Sequence, residues 1–504
     1  MPTDSPPTAI DISSPQQLFI DGEYCASSDG SVFPVYNPMT GSKLYDCASA
    51  TTDDFERAIQ AASAAFETWS RAGPATKRAV FLRAADILET LMETEAPALM
   101  SAEVSATRHW TRINAMSAVG TLRECASIAS QIKGEIIMPS DRPGTTTVLV
   151  EREPLGVVFA MSPWNAPASL TARAIATPLI CGNTVIHKPS EFSPKNQDLV
   201  VRALHAAGLP RGCINYLPVS AALTPSAVEY AIMHRLVRHV NFTGGDRVGR
   251  IVAGHAAKVL KRCVLELGGK APVIVLDDAV LDDAVEAVVF GALANAGQVC
   301  MATERVLAHK AIAPTFADAL VERVKGVKVG NHEEDTGVSV SGLFTPASAK
   351  RVRGLVSDAL ANGARLLYGD VSVSGPNETI VGPHVLDNVT RAMEIYQRES
   401  FGPVVCLATF ETDDEAVELA NDSEYTLTAA VFSSNVMRAL DIARRVRAGS
   451  CHVNNPTVYV APGTPNGGLG GASGYGRFGG MEGVREFTEV KIISLGRSGV
   501  KYSF

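Results

Sequence analysis

The pattern of apolar and polar residues changes part-way along the chain. In the first part, apolar residues recur every three or four positions, which predicts two amphipathic helices, Asp53–Trp69 and Lys77–Leu91, each with one face in a core. From Val148 onwards, short apolar runs alternate with helical stretches. This alternation is typical of a parallel sheet with helical crossovers, so the fold class is predicted to be α/β.

The predicted strands fall into two groups that a glycine-containing segment, Glu266–Lys270, separates. The strands are Gly156–Met161, Asn183–Lys188, Ile214–Pro218 and Val237–Phe242 before it, and Pro272–Leu276, Val404–Phe410 and Ala429–Phe432 after it. Helices are predicted at Ser169–Leu179 and Gln197–Ala207. We therefore expect two α/β lobes with a hinge near Glu266–Lys270. Ahead of them, Gln17–Tyr36 predicts short strands joined by turns.

One glycine-rich segment, Gly463–Gly480, has nine glycines in eighteen residues and could be read as a flexible linker. The bulky residues Tyr475, Arg477 and Phe478 within it favour an ordered loop instead.

Composition excludes several classes of protein. The 504 residues include 45 basic and 53 acidic side chains, a net charge of −8, which makes nucleic acid an unexpected partner. The nine cysteines are odd in number and form no Cys-x-x-Cys pair, so neither a disulfide framework nor a zinc site is predicted. No apolar run approaches the roughly 20 residues that span a bilayer. Because Met1–Gln17 also lacks signal-peptide character, a cytoplasmic protein that contacts no membrane is expected.

Two segments have the pattern of a ligand site at the end of a strand. In His239–Arg250, a strand, two glycines and a helix follow each other, and a helix N-terminus favours an anion. The spacing of Gly244 and Gly249 is not that of Gly-x-Gly-x-x-Gly, so an ordinary strand–turn–helix stays open. In the second segment, a strand places Lys188 and Glu191 at its carboxyl end. There the two side chains either bind a ribose hydroxyl or are simply charges exposed to solvent.

Three further residues have side chains suited to covalent catalysis. Cys300 is either a nucleophile or an inert buried thiol. Glu266 lies in an apolar, glycine-rich stretch, where burial suits a general base, although a structural ion pair is the alternative. Asn165 is held between prolines in a turn, where its amide could stabilise an oxyanion or merely complete the turn.

The residues of these motifs and their order along the chain, taken together, indicate a protein family more specifically than any single motif does. The series is Pro163-Trp-Asn-Ala-Pro167, Lys188-Pro-Ser-Glu191, Phe242-Thr-Gly-Gly245, Glu266-Leu-Gly-Gly-Lys270, Gly297-Gln-Val-Cys300 and Glu399-Ser-Phe-Gly-Pro403. It resembles the signature series of the NAD(P)-dependent aldehyde dehydrogenase superfamily, from about Phe19 to about Ile493.

This resemblance implies a role for each matching residue. Cys300 is then the nucleophile that attacks the aldehyde, Asn165 part of the oxyanion hole, and Glu266 the base that activates water for hydrolysis of a thioester. The implied cofactor contacts are Trp164, Lys188, Ser190, Glu191, Thr243, Gly244, Gly245, Gly249, Leu267, Glu399 and Phe401. The cofactor is expected to be NAD, with NADP as the alternative, and no metal is expected.

The resemblance also implies a division of the chain into domains. Residues 17–133 and 154–268 would form a Rossmann-like NAD-binding domain, and residues 269–483 an α/β catalytic domain. Residues 134–153 and 484–504 would form a small β-flap that assembles a homodimer or homotetramer. Residues 1–16 are expected to be a disordered leader.

Two longer segments are similar in sequence to the salicylaldehyde, benzaldehyde and vanillin dehydrogenase branch of the superfamily. This resemblance predicts an aromatic aldehyde as substrate. The matching segments are Gln298–Arg305 and Ser473–Gly480. The chain departs from that branch at Asn466, where a phenylalanine is usual, and at Gly470, where a lysine is usual. Two rival functions stay open: an acylating dehydrogenase that uses coenzyme A, and a non-catalytic relative. A cysteine hydrolase is remoter, since no histidine partner for Cys300 is evident.

Overall fold

Residues 11–139 and 146–499 are described by a computed structural model of the chain. Its strands are β1 (Leu18–Ile20), β2 (Glu23–Cys25), β3 (Val32–Tyr36), β4 (Lys43–Ala48), β5 (Glu135–Ile137), β6 (Thr146–Pro154), β7 (Val157–Met161), β8 (Thr184–Lys188), β9 (Ile214–Tyr216), β10 (Val237–Thr243), β11 (Arg262–Glu266), β12 (Ala271–Val275), β13 (Thr303–His309), β14 (Arg365–Tyr368), β15 (His384–Asp387), β16 (Val404–Phe410), β17 (Thr428–Phe432), β18 (Ser450–Val453) and β19 (Thr488–Gly496).

Helices lie between most of these strands. They are α1 (Thr52–Trp69), α2 (Pro74–Thr94), α3 (Ala96–Val104), α4 (Arg108–Ile128), α5 (Pro167–Ile180), α6 (Pro194–Ala206), α7 (Thr224–Met233), α8 (Asp246–Lys258), α9 (Leu281–Leu293), α10 (Ala313–Lys325), α11 (Pro346–Ala361), α12 (Glu394–Gln397), α13 (Asp413–Asn421), α14 (Val436–Arg445) and α15 (Gly480–Glu486). Three of the predicted helices, α2, α5 and α6, begin two or three residues earlier than expected, each with proline in its first turn. Proline is favoured there because the first-turn N–H groups have no partner within the helix.

The first large sheet has the order β11-β10-β7-β8-β9-β1-β2. Strands β7 to β11 are parallel, whereas β1 pairs antiparallel with β9 and with β2. Every residue of β7 and β8 is buried, as expected for parallel strands covered by helices on both faces. The register places Lys188, Met161, Thr243 and Glu266 side by side at the carboxyl edge of this sheet.

The second large sheet has the order β14-β15-β16-β13-β12-β17-β18 and is parallel except for the β14–β15 pair. The chain passes from the first sheet to the second between Glu266 and Ala271, in the segment that the sequence marked as a hinge. The α/β prediction is therefore confirmed, and the two carboxyl edges come together where the chain crosses.

A small third sheet has the order β19-β6-β5 and is antiparallel. It lies within the segments expected to form the flap, of which residues 140–145 and 500–504 fall outside the described residues. The structure differs at residues 484–487, because the first three of them end α15 and both Val484 and Phe487 are fully buried in the core of the first lobe.

The disordered leader expected at residues 1–16 is wrong for residues 11–16; residues 1–10 lie outside the described residues. The Lys195 ammonium donates to the carbonyls of Asp11 (2.8 Å) and Ile12 (2.9 Å), and Gln16 bridges to Cys47. Because the Lys195 side chain is buried and its ammonium group is bonded to these carbonyls, the segment is held against the first lobe. Within the described parts of the chain, no helix combines the length and apolar character needed to cross a membrane.

Candidate active site

The residues expected to carry chemistry meet where the two sheets face each other. Glu266 is the last residue of β11, and Asn165 lies in the loop between β7 and α5. Cys300 comes from the second lobe, in the loop that joins α9 to β13. Ligand sites of open α/β sheets form at the carboxyl ends of their strands, which is where this cluster lies.

The loop before Cys300 has an unusual backbone conformation. Asn295, Ala296 and Gly297 have φ values of 51°, 55° and 76°, in the left-handed region. At Gly297 a Cβ atom would lie 2.1 Å from the Gly402 carbonyl oxygen, so only glycine fits. Such a strained, closely packed turn fixes the direction in which the following cysteine leaves the loop.

The thiol of Cys300 donates a hydrogen bond to Oε1 of Glu266 over 3.0 Å. Burial raises the pKa of the Cys300 thiol well above its usual range, and the negative charge of Glu266 raises it further, while Arg173 acts in the opposite direction. In this state the cysteine is therefore a neutral thiol whose proton faces a carboxylate. The structure brings the predicted nucleophile and the predicted base into direct contact.

Glu266 is itself buried and has two further donors. Arg173, on α5, forms an ion pair with Oε2, and the Asn466 amide donates to the same oxygen over 3.2 Å. Sequence reasoning missed Arg173. The signal was present, because Arg173 is the one charged residue of the mostly buried helix Pro167–Ile180. Asn466 was noted only as a departure from the branch and not as a contact of the base.

Asn165 is buried beside the nucleophile loop. Its side-chain amide donates to the Gln298 carbonyl over 3.0 Å, and its own carbonyl accepts from the Trp110 indole at 2.8 Å and from the Asn295 amide at 3.1 Å. These bonds fix the backbone of Asn165 and hold its side-chain amide against Gln298, two residues before Cys300. An amide held there is suited to donate to an oxygen that develops charge next to the sulfur.

A wide cleft of about 420 Å³ reaches Cys300 from one side. Of the predicted cofactor contacts, those that line it are Trp164, Thr243, Gly244, Gly245, Leu267, Glu399 and Phe401. Trp164 stacks on Phe344 with ring centroids 3.9 Å apart and meets Phe401 edge-on at 6.0 Å. The cleft thus has an aromatic wall on one side and the N-terminus of α8 on the other.

A buried ion pair shapes the wall of the cleft that carries Glu399. Lys270 pairs with Glu304, and both side chains are almost fully buried. Glu304 also accepts from the Ser400 N–H at 2.8 Å and the Phe401 N–H at 3.2 Å, which holds Phe401 at a left-handed φ of 47°. Burial raises the pKa of Glu399 to about 8, with the charge of Glu304 as the second cause. Sequence reasoning did not single out Glu304.

Four predicted cofactor contacts do not line the wide cleft. Gly249 lies in α8, where a Cβ would come within 2.5 Å of the Leu267 side chain. Glycine at this position therefore allows α8 to pack closely against Leu267. Lys188, Ser190 and Glu191 lie at the end of β8, two strands from β10, or about 10 Å along the same edge. The Lys188 ammonium donates to the Pro189 carbonyl at 2.9 Å, and burial lowers its pKa, a shift that the charge of Glu191 partly opposes.

A narrower cavity of about 160 Å³ reaches Cys300 from the opposite side. Its wall is largely apolar and aromatic, and includes Trp110, Ile113, Ala166, Phe290, Val299, Met301, Val458 and Phe478. Glu266, Asn165, Arg173 and Asn466 also line it. The cysteine therefore stands at the junction of two cavities, each suited to a different molecule.

Comparisons with known proteins decide the family. A sequence model of the Aldehyde dehydrogenase family matches residues 24–493. The chain belongs to the aldehyde dehydrogenase family. It is 43% identical to vanillin dehydrogenase of Pseudomonas sp. (strain HR199 / DSM 7063) over 478 residues, which are 95% of this chain and 97% of that protein.

Solved structures agree. A salicylaldehyde dehydrogenase from Pseudomonas putida G7, complexed with salicylaldehyde, has a TM-score of 0.94 and 38% identity, covering 97% of this chain and 100% of its own. Betaine aldehyde dehydrogenase of Staphylococcus aureus in complex with NAD+ has a TM-score of 0.91 and 31% identity, covering 97% of this chain and 96% of its own. The predicted family, fold, branch resemblance and oxidoreductase class are therefore confirmed.

The contact between thiol and carboxylate predicts how Cys300 reacts with an alkylating reagent. A raised pKa keeps the thiol protonated at neutral pH, so the labelling rate should increase as pH rises towards that pKa. Since the charge of Glu266 contributes to the shift, Glu266→Gln should lower the pKa of the Cys300 thiol, and the variant should label faster at neutral pH. Mass spectrometry after timed iodoacetamide treatment measures the rate at Cys300 alone. Slower labelling of the variant would mean instead that the carboxylate removes the thiol proton.

Proposed function

We propose that this enzyme oxidises an aromatic aldehyde to its carboxylic acid, with NAD as the hydride acceptor and Cys300 as the covalent nucleophile. One observation carries the proposal: the Cys300 sulfur lies at the junction of the two cavities, 3.0 Å from the Glu266 carboxylate. In this assignment the wide cleft takes the cofactor and the narrow cavity takes the aldehyde. Residues 17–133 and 154–268 form the cofactor domain, and residues 269–483 the catalytic domain.

The wide cleft fits a dinucleotide. The first turn of α8 offers backbone N–H groups to a pyrophosphate, and among the described residues, apart from the neighbours of Gly245 along the chain, no atom lies within 4 Å of the place where a Cβ of Gly245 would stand. Trp164, Leu267 and Phe401 supply apolar surface, and the Glu399 carboxylate also lines the cleft, where it accepts from the Gly269 N–H at 2.9 Å. When bound, NAD supplies the hydride acceptor. We assign Lys188, Ser190 and Glu191 to the adenosine side, where the Glu191 charge disfavours the extra phosphate of NADP.

The first half-reaction forms a thioester on Cys300. The Cys300 thiol loses its proton to water, the sulfur adds to the aldehyde carbon, and the carbonyl oxygen becomes an oxyanion beside the Asn165 amide and the Cys300 N–H. Collapse of this adduct releases a hydride from the former aldehyde carbon, for which bound NAD would be the acceptor, and leaves an acyl group on sulfur. Asn165 is held in place for this step by its bonds to Trp110 and Asn295.

The second half-reaction releases the acid. A water oxygen attacks the acyl carbon, its proton passes to Glu266, the carbon–sulfur bond breaks, and the electron pair returns to sulfur. General-base assistance is worth roughly 10²–10⁴-fold. Glu266 lies close enough to accept a proton from a water that attacks this carbon, since its carboxylate contacts the sulfur to which the carbon is bonded. This favours hydrolysis over transfer to coenzyme A, whose thiol ionises without such help.

The narrow cavity supports an aromatic substrate. Trp110, Phe290 and Phe478 give its wall flat apolar surfaces. Ala166, next to Asn165, has a small side chain and so leaves room for a ring. The named relatives vanillin dehydrogenase and salicylaldehyde dehydrogenase act on ring aldehydes, as their names state.

The function is tested by kinetics over a matched set of aldehydes and both cofactors. We expect benzaldehyde derivatives to exceed acetaldehyde and other short aliphatic aldehydes in kcat/KM, because only a ring fills the apolar cavity. With one aromatic substrate, kcat/KM with NAD should exceed that with NADP. A preference for short aliphatic aldehydes would overturn the substrate assignment, and equal use of NADP would overturn the role given to Glu191.

Replacement of the base tests the fate of the thioester. Glu266→Gln keeps the shape of the side chain and removes its basicity, so we expect a rapid burst of about one NADH per active site and then a steady state slower by roughly 10²-fold or more. Stopped-flow absorbance measures both phases, and Cys300→Ala, which should give no burst, is the control. Wild-type enzyme should form free acid at the same rate with or without coenzyme A. Acyl-coenzyme A as the main product would reverse the assignment.

We also propose that the third sheet joins copies of this chain into a homodimer or homotetramer. Its edge strands carry exposed apolar side chains, among them Ile136 (71% exposed) and Ile492 (68% exposed). A nine-residue edge strand such as β19 is a template for pairing with another chain. The nine cysteines, all free, support a reducing compartment, and we assign the enzyme to the cytoplasm.

Disruption of this sheet edge should change the oligomeric state. Ile492→Lys places a charge on the exposed face of β19, so we expect a smaller assembly by light scattering after size exclusion. Met437→Lys is the matched control, since Met437 is 70% exposed on α14 in the second lobe. An unchanged mass for Ile492→Lys would argue against an interface at this sheet.

A further inference from the structure

Asn466 contacts the base at the point where this chain departs from its branch. Its side chain is buried and donates to Oε2 of Glu266 over 3.2 Å. The mechanism described above makes no use of Asn466, so the contact calls for an explanation of its own.

The backbone of Asn466 is fixed by a two-way bridge to Phe478. The Asn466 N–H donates to the Phe478 carbonyl at 2.7 Å, and the Phe478 N–H donates to the Asn466 carbonyl at 2.9 Å. The Phe478 ring lies 4.8 Å from the guanidinium carbon of Arg173. The glycine-rich loop therefore supplies one donor to Glu266 directly and supports the second donor with an aromatic face.

The two donors occupy one oxygen of the carboxylate. Arg173 and Asn466 both bind Oε2, while Oε1 faces the Cys300 thiol. A carboxylate held by two donors on one oxygen cannot rotate without losing both bonds. This arrangement leaves Oε1 as the oxygen that faces the reacting sulfur.

We propose that Asn466 is a positioning residue, which together with Arg173 holds Glu266 so that Oε1 accepts the proton of the water that hydrolyses the thioester. This inference rests on the proposed role of Glu266 as the base. In the step, the water oxygen bonds to the acyl carbon, its proton goes to Oε1, and the carbon–sulfur bond breaks with its electron pair on sulfur. Asn466 itself exchanges no proton.

Two substitutions separate a positioning role from simple packing. Asn466→Leu keeps most of the side-chain volume and removes the donor, whereas Asn466→Asp keeps the shape and adds an acidic group. Without this donor, the Glu266 carboxylate can leave the orientation in which Oε1 faces the reacting sulfur, so hydrolysis of the thioester should slow in Asn466→Leu. Asn466→Asp replaces the donor by a like charge beside Oε2, so hydrolysis should slow further in that variant.

The measurement is stopped-flow NADH formation at one fixed pH, with an aromatic aldehyde and saturating NAD. We expect both variants to keep the NADH burst, with the steady-state rate after it lowered about tenfold in Asn466→Leu and KM for the aldehyde little changed. Leu469→Ala is the control in the same loop, because this side chain is 53% exposed and lines neither of the two cavities at Cys300; its burst and its steady-state rate should match wild type. Thermal unfolding of all three variants reports whether the loop still folds.

Each outcome decides a separate point. Equal steady-state rates in wild type, Asn466→Leu and Asn466→Asp, together with a stalled steady state in Glu266→Gln, would overturn the role of Asn466 and leave the base intact. If Glu266→Gln itself turns over normally, the proposed function fails first. Loss of the burst in Asn466→Leu would place Asn466 in thioester formation and would also contradict the inference.

Discussion

The buried Glu266 carboxylate is the contact on which the geometry of the site depends. It is 1% exposed, and a charge at such a position requires partners, since an uncompensated carboxylate is costly to bury. Its three donors come from different parts of the chain: Arg173 from a helix of the first lobe, Cys300 from the second lobe, and Asn466 from the glycine-rich loop. One side chain therefore fixes the relative positions of two lobes and a loop.

A second buried ion pair, Lys270 with Glu304, lies on the side of the thiol that faces the wide cleft. Lys270 and Glu304 stand four residues after Glu266 and Cys300 respectively, so both pairs are separated by 34 residues in the chain. The register of β12 with β13 shifts here: Ala271 pairs with Thr303 and Pro272 with Arg305, so Glu304 is left out of the ladder beside the start of β12, where it pairs with Lys270. Glu304 in turn holds the backbone of Ser400 and Phe401. The register of two strands thus sets one wall of the wide cleft.

Much of this could be predicted from local sequence, and the remainder depends on distant contacts. Alternating apolar runs predicted the parallel strands, and the motifs around Cys300 and Glu266 singled out two side chains that the structure brings into contact. Helix starts were missed where proline opens the first turn, as at Pro167. Arg173 and Asn466 were missed as partners of Glu266 because residues 93 and 200 positions apart in sequence meet only after the lobes pack. Residues 484–487 were assigned to the flap because no pattern marks where α15 ends.

In the proposed mechanism, the same contact also orders the chemistry in time. Cys300 and Glu266 lie at hydrogen-bond distance, and two full negative charges so close would repel strongly at a buried position, so one proton is retained between them while the thiol is free. That proton leaves to water when the sulfur adds to the aldehyde, and an acylated sulfur has none to donate, so Oε1 loses the one donor that the described residues give it. The carboxylate is then a free acceptor at the moment when water must be deprotonated. In this mechanism, acylation of the nucleophile frees the base that removes the acyl group, with no movement of Glu266 required.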